Sequence, residues 1–401
     1  MHPQTERSDF LDALRGFALF GILVVNLGWF KAPLWARPSY DHLIHDAPLH
    51  RATETLILIL AEGKFFILLA FLLGIGIGWQ MQRCEESGKA PRRFIARRMA
   101  ILFLFGGLHI SLLWIGDILI PLALTGLLGL LFARARDRTL VITGAIVYLA
   151  GVAAFAGLAV FYLYFIQLDE FQELYGEALR RFEEVLHIYR NGSWTEIAAV
   201  RLGTGWQLHL KSGLVMAPSM LAFLLWGMVT ARRISPASFR ENITRKFGPR
   251  AFFALLLAGI LFNTAAALAW LLGYGLPTGP GLAHFLTLYF YELRTPLLTL
   301  AYVTGIALWW GEAARLSFLR TGLAAVGRTA LSNYLLQSII GTTLFYGYGF
   351  GLYGSLGIAW IPVLAVGIFT FQMIISRYWL SRFRYGPAER LWRNLTYRGK
   401  V

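Results

Sequence analysis

Residues 11–26 read LDALRGFALFGILVVN and place Asp12, Arg15 and Asn26 in or beside an otherwise apolar run. A run of about 20 apolar residues is long enough to cross a bilayer as a helix. A charged side chain at the centre of such a helix costs about 2.5–3.5 kcal/mol on insertion scales. Because this run retains such groups, it predicts a membrane protein whose helices enclose a polar cavity.

The composition of the whole chain agrees with this interpretation. Of its 401 residues, 57% are hydrophobic and 15% are charged, whereas soluble domains have about 25% charged residues. Backbone groups in lipid must satisfy their own hydrogen bonds, which favours helices. We therefore predict an all-α polytopic membrane protein of about ten transmembrane helices, over 9–30, 60–82, 97–115, 117–134, 139–167, 206–231, 250–274, 283–311, 322–346 and 354–379.

The net charge of +15 comes from arginines and lysines that are concentrated in every second link between the apolar runs. In a soluble protein this excess would indicate a nucleic-acid partner. Here its alternation matches the positive-inside rule. The pattern predicts a multi-pass protein of the bacterial inner (plasma) membrane with both termini in the cytoplasm, and no nucleic-acid partner.

A histidine and an aspartate near the end of the third run form the first candidate site. His109 precedes Asp117 by eight residues, about 12 Å along a helix axis at 1.5 Å per residue. Direct pairing therefore requires the chain to turn after Trp114, and the Gly116–Asp117 pair favours such a turn. Histidine is the side chain best suited to proton transfer near neutral pH. A buried histidine with a structural role is the alternative.

Other polar side chains at membrane depth are predicted to share one central cavity. Asn333 and Gln337 are four residues apart and so lie on one helix face. The alternative for the set is local packing exceptions; for Asn26 it is a hydrogen bond between helices, and for Lys64 it is an interfacial pair with Glu62. The histidines and the single Cys84 lack the spacing of metal ligands, so no metal site is predicted. The predicted substrate-binding residues are Arg15, Lys64, His209, Arg328, Asn333, Tyr334 and Gln337.

Five motifs together resemble the YeiB-like family of bacterial membrane proteins. The resemblance covers nearly the whole chain, and the order and spacing of the motifs are specific. The family's C-terminal half is described as a domain of unknown function, so the resemblance implies a fold more than a reaction. The motifs are LDALRGFALFGILVVN (11–26), GKFFILLAFLLGIG (63–76), RRMAILFLFGGLHISLLWIGDILIPLALTGLLG (97–129), GRTALSNYLLQSIIGTTLFY (327–346) and YGPAERLWRNLTY (385–397).

More distantly, the pattern of Asp12, Arg15, Gly16 and Asn26 is similar to the first span of heparan-α-glucosaminide N-acetyltransferase. This resemblance implies transfer of an acyl group from cytoplasmic acyl-CoA to an acceptor across the membrane, with Asn26 at the active site. The catalytic histidine of that enzyme follows its asparagine by eleven residues, where this chain has Arg37. The candidates to replace it are His42, His45, His50 and His109.

The two resemblances suggest a division of the chain into three parts. We predict acyltransferase-like transmembrane helices over 1–138. A fifth span and an outer amphipathic segment follow over 139–205, and a C-terminal YeiB-type membrane domain covers 206–401.

The favoured function is acyl transfer to an acceptor hydroxyl or amine. His109 would act as general base, Asp117 would orient it, and Asn26 would hold the thioester carbonyl or the oxyanion. Acyl-CoA would be a substrate, no tightly bound cofactor is expected, and the partners are membrane lipids and an elongated ligand such as acyl-CoA. The protein could also form a homo-oligomer, which the sequence does not decide. The arginines predicted to attract the CoA phosphates are Arg92, Arg93, Arg97, Arg98 and Arg328.

Two other classes of function remain open. A transporter or lipid-binding permease would use buried charged groups as a path for a proton or substrate. The groups that suggest it are Lys64, His209, Glu292 and Arg294. A non-catalytic scaffold would use the same buried polar groups to fix helix register.

Overall fold

Helices joined by short links make up the part of the chain that the computed structural model describes. This part comprises residues 8–31, 47–88, 90–165, 183–273, 285–286, 289–290, 293–312 and 317–397, and no strand occurs within it. Its helices include α1 (Asp9–Phe30), α2 (Pro48–Leu60), α3 (Lys64–Glu86), α4 (Pro91–Leu112), α5 (Leu119–Gly129), α6 (Asp137–Phe165), α7 (Trp194–Val200), α8 (Trp206–Arg233), α9 (Phe239–Lys246), α10 (Pro249–Gly273), α11 (Thr295–Glu312), α12 (Ser317–Arg328), α13 (Ala330–Phe345), α14 (Ile361–Arg382) and α15 (Pro387–Tyr397).

The predicted all-α polytopic membrane class is confirmed. Within the described residues, seven helices are long and apolar enough to cross a membrane, and Leu119–Phe132 and Thr295–Trp310 are shorter apolar helices. Large apolar side chains such as Ile146, Leu257 and Val363 are about 60% exposed. Lipid, unlike water, accepts such side chains without a hydrophobic penalty.

The helices pack closely where glycine removes a side chain from the contact. A Cβ on Gly74 of α3 would come within 2.1 Å of the backbone oxygen of Leu224 on α8. Small residues of this kind let the backbones of membrane helices approach each other. The pairing of α3 and α8 therefore depends on this residue type.

The predicted ninth span, 322–346, is not one helix. The chain breaks at Thr329, where φ is −113° and ψ is 42°. The Thr329 hydroxyl donates to the backbone oxygen of Ala325 at 2.9 Å, and Nδ2 of Asn333 donates to the same hydroxyl at 2.8 Å. These bonds involve the Thr329 side chain at the position where α12 ends and α13 begins.

The C-terminal helix α15 docks onto the start of α13 through one carboxylate. Oε1 of Glu389 accepts hydrogen bonds from the backbone N–H groups of Leu331 at 2.6 Å and Ser332 at 3.1 Å. Its Oε2 accepts from the Ser332 hydroxyl at 2.5 Å. The first N–H groups of a helix have no partner within the helix, so Glu389 supplies the cap that α13 needs.

Replacing Glu389 is expected to change stability in a way that depends on pH. Burial raises the pKa of the Glu389 carboxyl above its usual value, and hydrogen bonds from Ser332 oppose part of that rise. A carboxyl whose pKa is higher in the folded state than in the unfolded state contributes its full stabilisation when the pH is below the unfolded-state pKa. This stabilisation is lost as the pH rises through the folded-state pKa. Glu389→Gln keeps an acceptor oxygen without the charge. It should therefore gain stability relative to wild type as the pH rises above about 4.3.

Thermal unfolding of the purified protein at pH 5 and pH 8 measures this difference. Glu389→Ala, which removes the acceptors as well, should lose about 1 kcal/mol of stability. If the glutamine variant and the wild type differed in Tm by the same amount at both pH values, the result would contradict the proposed effect of the Glu389 charge.

Candidate functional site

A turn between α4 and α5 brings His109 and Asp117 together. Helix α4 ends at Leu112, and Asp117 lies just before α5 begins. Nδ1 of His109 lies 3.0 Å from Oδ1 of Asp117, although the ring N–H is not aligned with that oxygen as a good hydrogen bond requires. We interpret the contact as an electrostatic pairing. The predicted turn is present.

Ser338 on α13 contacts the other nitrogen of the same ring. Its Oγ lies 2.7 Å from Nε2 of His109. The other oxygen of Asp117, Oδ2, accepts from the backbone N–H of Ile120 at 2.7 Å, which fixes the carboxylate. Ser338, His109 and Asp117 are only 1%, 1% and 6% exposed. We call these three residues the Ser–His–Asp array.

The array has a preferred direction for the proton. In the tautomer that carries its proton on Nδ1, facing the acceptor oxygens of Asp117, Nε2 can accept a hydrogen bond from the Ser338 hydroxyl. A serine hydroxyl bonded to the free nitrogen of a histidine, with a carboxylate behind the ring, is the arrangement of an activated nucleophile.

Tyr334 holds the turn in place and covers the histidine. Its hydroxyl accepts from the backbone N–H of Ile118 at 3.1 Å and donates to the backbone oxygen of Gly116 at 3.2 Å. Its ring centroid lies 5.1 Å from that of His109. Tyr334 and Ser338 are one helical turn apart, so α13 supplies both contacts to the histidine.

A cavity of about 350 Å³ leads to Tyr334 from one end of the helix bundle. Its wall on α3 runs from Gln80 to Leu69, about 16 Å at 1.5 Å per residue. Pockets for small-molecule ligands have volumes of about 300–1,000 Å³. The inner part is apolar, and its wall includes Leu69, Leu72, Leu73, Leu102, Ile118, Leu119, Leu122 and Tyr334.

Four arginines line the same cavity: Arg15, Arg98, Arg328 and Arg393. Arg98 lies with its guanidinium carbon 3.9 Å from the Trp392 ring, and Nε1 of Trp392 donates to the backbone oxygen of Arg98 at 3.0 Å. Arg15 pairs with Asp12 at 2.7 Å. We call this the arginine-rich end of the bundle. Guanidinium groups bind phosphate and carboxylate through paired N–H donors.

Comparisons with known proteins identify the family. A protein of Bacillus subtilis (strain 168), "Uncharacterized protein YxaH", is 30% identical over 408 residues, which cover 98% of this chain and 94% of the relative. "Uncharacterized protein YeiB" of Escherichia coli (strain K12) is 28% identical, over 98% of this chain and 97% of the relative. The chain belongs to the YeiB-like family.

Two other findings fit this membership of the YeiB-like family. The family described as "Protein of unknown function (DUF418)" matches residues 238–399. No solved structure matches the chain. The division of this YeiB-like protein at 138 and 205 stays a prediction.

Two of the predicted polar residues of this YeiB-like protein join helices to each other. Nδ2 of Asn333 donates to Oγ of Ser376 at 2.9 Å, and Nε2 of Gln337 donates to Oε1 of Gln372 at 3.0 Å. Nε2 of Gln372 donates to the backbone oxygen of Asn333 at 2.8 Å. Neither Asn333 nor Gln337 lines the cavity that reaches Tyr334. Both residues therefore form hydrogen bonds between helices, and their part in binding a substrate stays a prediction.

Of three other predicted residues, two make no described contact with the array and one has a side chain outside the described residues. Asn26 is half-buried on α1 and, within the described part of the chain, makes no hydrogen bond and does not line this cavity. Lys64 is fully buried at the start of α3 and donates to the backbone oxygen of Leu58 at 2.9 Å. The side chain of His209 lies outside the described residues.

Of the other histidine candidates of this YeiB-like protein, the structure describes His50. His42 and His45 lie outside the described residues. Nδ1 of His50 accepts from the backbone N–H of Ala359 at 3.2 Å. Within the described ranges, no group of three or more His, Cys, Asp or Glu side chains is placed to hold a metal ion.

Proposed function

We propose that this protein is a membrane acyltransferase that moves an acyl group from acyl-CoA to an acceptor hydroxyl or amine. The observation that supports it most is the cavity, which has arginines at one end, an apolar interior, and Tyr334 against the Ser–His–Asp array at the other. Acyl-CoA combines phosphates with an apolar acyl chain. The arginines suit the phosphates, and the interior between them and Tyr334 would hold the pantetheine arm that joins the phosphates to the thioester.

The arginine-rich end is proposed to face the cytoplasm of the bacterial inner membrane, with both termini on that side. Cytoplasmic segments of membrane proteins carry an excess of lysine and arginine. Acyl-CoA would enter there, with its phosphates at Arg98, Arg328 and Arg393 and its thioester toward Tyr334. Rotation of the Tyr334 side chain would bring the thioester into contact with Ser338.

The chemistry proposed for the array has two steps. Ser338 Oγ attacks the thioester carbon while its proton passes to Nε2 of His109; the C–S bond then breaks, and His109 gives that proton to the departing sulfur. This leaves CoA thiol and an ester on Ser338. An acceptor hydroxyl or amine next attacks the ester and gives its proton to His109, and the proton returns to Ser338 Oγ as the ester bond breaks.

Two residues have supporting roles in this proposal. Asp117 stabilises the charged imidazolium that forms in each step. Asn26 does not line the cavity in the described structure, so its proposed role as a donor to the carbonyl oxygen requires the bound ligand to reach beyond that cavity.

Thiol release from acetyl-CoA and palmitoyl-CoA by the purified protein tests the function. Without an acceptor we expect a burst of about one thiol per protein, and with bacterial membrane extract as acceptor source we expect continued turnover. Binding of neither acyl-CoA, or binding without thiol release under either condition, would overturn the proposal. In the second case, uptake of unmodified ligand into proteoliposomes would instead support a transporter.

Reversing the charge of Arg393 is expected to weaken acyl-CoA binding. Hydrogen bonds to a charged group contribute about 1.5–3 kcal/mol, so Arg393→Glu should raise KM about 10- to 100-fold with little change in kcat. Arg390→Glu is the matched control, because Arg390 lies on the same helix, is exposed and does not line the cavity. Equal effects of the two substitutions would indicate a general effect of charge and contradict the assignment.

A further inference from the structure

Arg201 is a fully buried arginine whose guanidinium is only partly satisfied. It begins a short π-helix, Arg201–Gly205, between α7 and α8, and its exposed fraction is 0%. Nη1 donates to the backbone oxygen of Leu113. Within the described part of the chain, Nε and Nη2 of Arg201 have no hydrogen-bond acceptor.

A buried charge without a counter-charge is unfavourable. Burial of a charge costs a large free energy unless the charge is paired and hydrogen-bonded. Arg15 pairs with Asp12 at 2.7 Å, and Arg232 with Asp137 at 3.1 Å. No described carboxylate pairs with Arg201 in this way. The fold therefore maintains a costly group, and a bound anion would remove that cost.

The surroundings of Arg201 add hydroxyl groups. The ring of Tyr189 lies 4.9 Å from that of Tyr346 and 5.2 Å from that of Tyr353, between ring centroids. Burial raises the pKa of Tyr189 to about 12, and the nearby charge of Arg201 opposes part of that rise. The Tyr189 hydroxyl is therefore protonated at neutral pH. A guanidinium beside phenol hydroxyls is a set of donors suited to a carboxylate or phosphate.

Arg201 lies close to the array, on the side away from the arginine-rich end. On helix α4, Arg98 lies near the arginine-rich end and Leu112 is the last residue at the opposite end. Arg201 contacts Leu113, the residue just after this helix. The backbone N–H of Leu113 donates to the backbone oxygen of His109 at 2.8 Å. Leu113 is four residues, about 6 Å of helix rise, beyond His109, so the group that bonds to Leu113 lies on the side of the array away from Arg98.

We propose that Arg201 binds a carboxylate or phosphate group on the acceptor substrate, which enters from the end opposite the arginine-rich end. This inference rests on the proposed acyl transfer for the identity of the ligand as an acceptor. The acceptor's anionic group occupies Nε and Nη2 of Arg201. Its hydroxyl or amine then lies a few bonds away, near Ser338 and His109. Acyl donor and acceptor thus reach the array from opposite ends of the bundle.

Thermal unfolding of the purified full-length protein with four probes at constant ionic strength tests the anion site without requiring chemistry. Glucuronate and glycerol 1-phosphate represent the two anionic groups, and glucose and glycerol are their neutral counterparts. We expect one or both anions to raise the Tm in a saturable way, because a ligand that binds only the folded state stabilises it. Neither neutral probe should do so.

Two substitutions locate the effect. Arg201→Met keeps an unbranched side chain that reaches about as far as Nε and removes the unpaired charge, so it should fold but weaken anion binding at least about 10-fold. Arg190→Met is the control, since Arg190 is an exposed arginine one residue after Tyr189, and it should retain the wild-type response. An equal response in Arg201→Met, or no saturable shift with either anion in wild type, would overturn the proposal.

The outcome for acyl transfer is separate. If Arg201→Met loses the anion response but still gives the acyl-CoA burst, acceptor and donor sites are distinct, as proposed. If wild type binds the anion at Arg201 but never consumes acyl-CoA, the proposed function fails and the acceptor identity fails with it, while the anion site remains.

Discussion

Replacing Ser338 with alanine is expected to abolish the burst of thiol release from acyl-CoA, with a loss in rate of about 10³-fold or more. The reason is geometric. Ser338 Oγ lies 2.7 Å from Nε2 of His109, and Asp117 faces the other ring nitrogen at 3.0 Å. Both nitrogens are therefore engaged, and the proton that His109 can take without rearrangement is that of Ser338.

The behaviour of combined variants distinguishes this mechanism from general damage. When residues act as a unit in catalysis, replacing one of them lowers the rate about as much as replacing all of them. We therefore expect His109→Ala, Ser338→Ala and the double variant to have similar residual rates. Mass spectrometry of the wild-type protein after acyl-CoA addition should place the acyl group on Ser338. Losses that multiply in the double variant would contradict the nucleophile assignment.

Ser376→Ala is the matched control for Ser338→Ala. Ser376 is also a buried serine, but its hydroxyl bonds to Asn333 and Thr329 where α13 packs on α14. Its loss should lower the free energy of unfolding by about 1 kcal/mol and leave the burst in place. A loss of burst equal to that of Ser338→Ala would show that packing of α13, rather than the hydroxyl of Ser338, is what the reaction needs.

The pairing of His109 with Asp117 could be predicted from the sequence because it is local. The two residues are close along the chain, and a glycine before the aspartate favours the turn that joins them. The sequence does not assign Ser338 to the pair, because the contact depends on how α13 is rotated against the end of α4. Helical periodicity gives the face that a residue occupies, but not the helix which that face meets.

Asn333 and Gln337 show the same limit, because the sequence gives their shared helix face but not the helix that this face contacts. Their spacing correctly places them on one face of a helix, yet that face meets α14, where Gln372 and Ser376 provide partners. A polar side chain that finds a partner on a neighbouring helix satisfies the same physical requirement as one that lines a cavity. Sequence alone could not decide between the two.

The break at Thr329 was also beyond sequence reasoning. The segment 322–346 contains no proline, and only Gly327, Arg328 and Thr329 separate its two apolar parts. The local signal is the threonine, whose hydroxyl accepts from the side chain of Asn333. Close contact between α12 and α1 sets the direction of the chain before the break, and this contact depends on residues more than 300 positions apart in the sequence.

Replacing Gly327 with alanine is expected to destabilise the fold by about 3 kcal/mol or more. A Cβ at this position would lie 1.6 Å from the backbone oxygen of Asp12 and 2.7 Å from the backbone nitrogen of Gly16. Overpacking typically costs about 1–3 kcal/mol when side chains can adjust. Here the clash is with the backbone of α1, so helices α1 and α12 must separate.

The consequence reaches the proposed site, because Arg328 follows Gly327 directly and lines the cavity. Gly327→Ala should therefore lower both the Tm and the affinity for acyl-CoA. Gly367→Ala on α14 is the control, since nothing lies within 4 Å of its added Cβ. Alanine has a helix propensity about 1 kcal/mol better than glycine, so this variant should be as stable as wild type or slightly more so. Equal Tm values for the two variants would show that α1 and α12 do not pack as closely as Gly16 and Gly327 require.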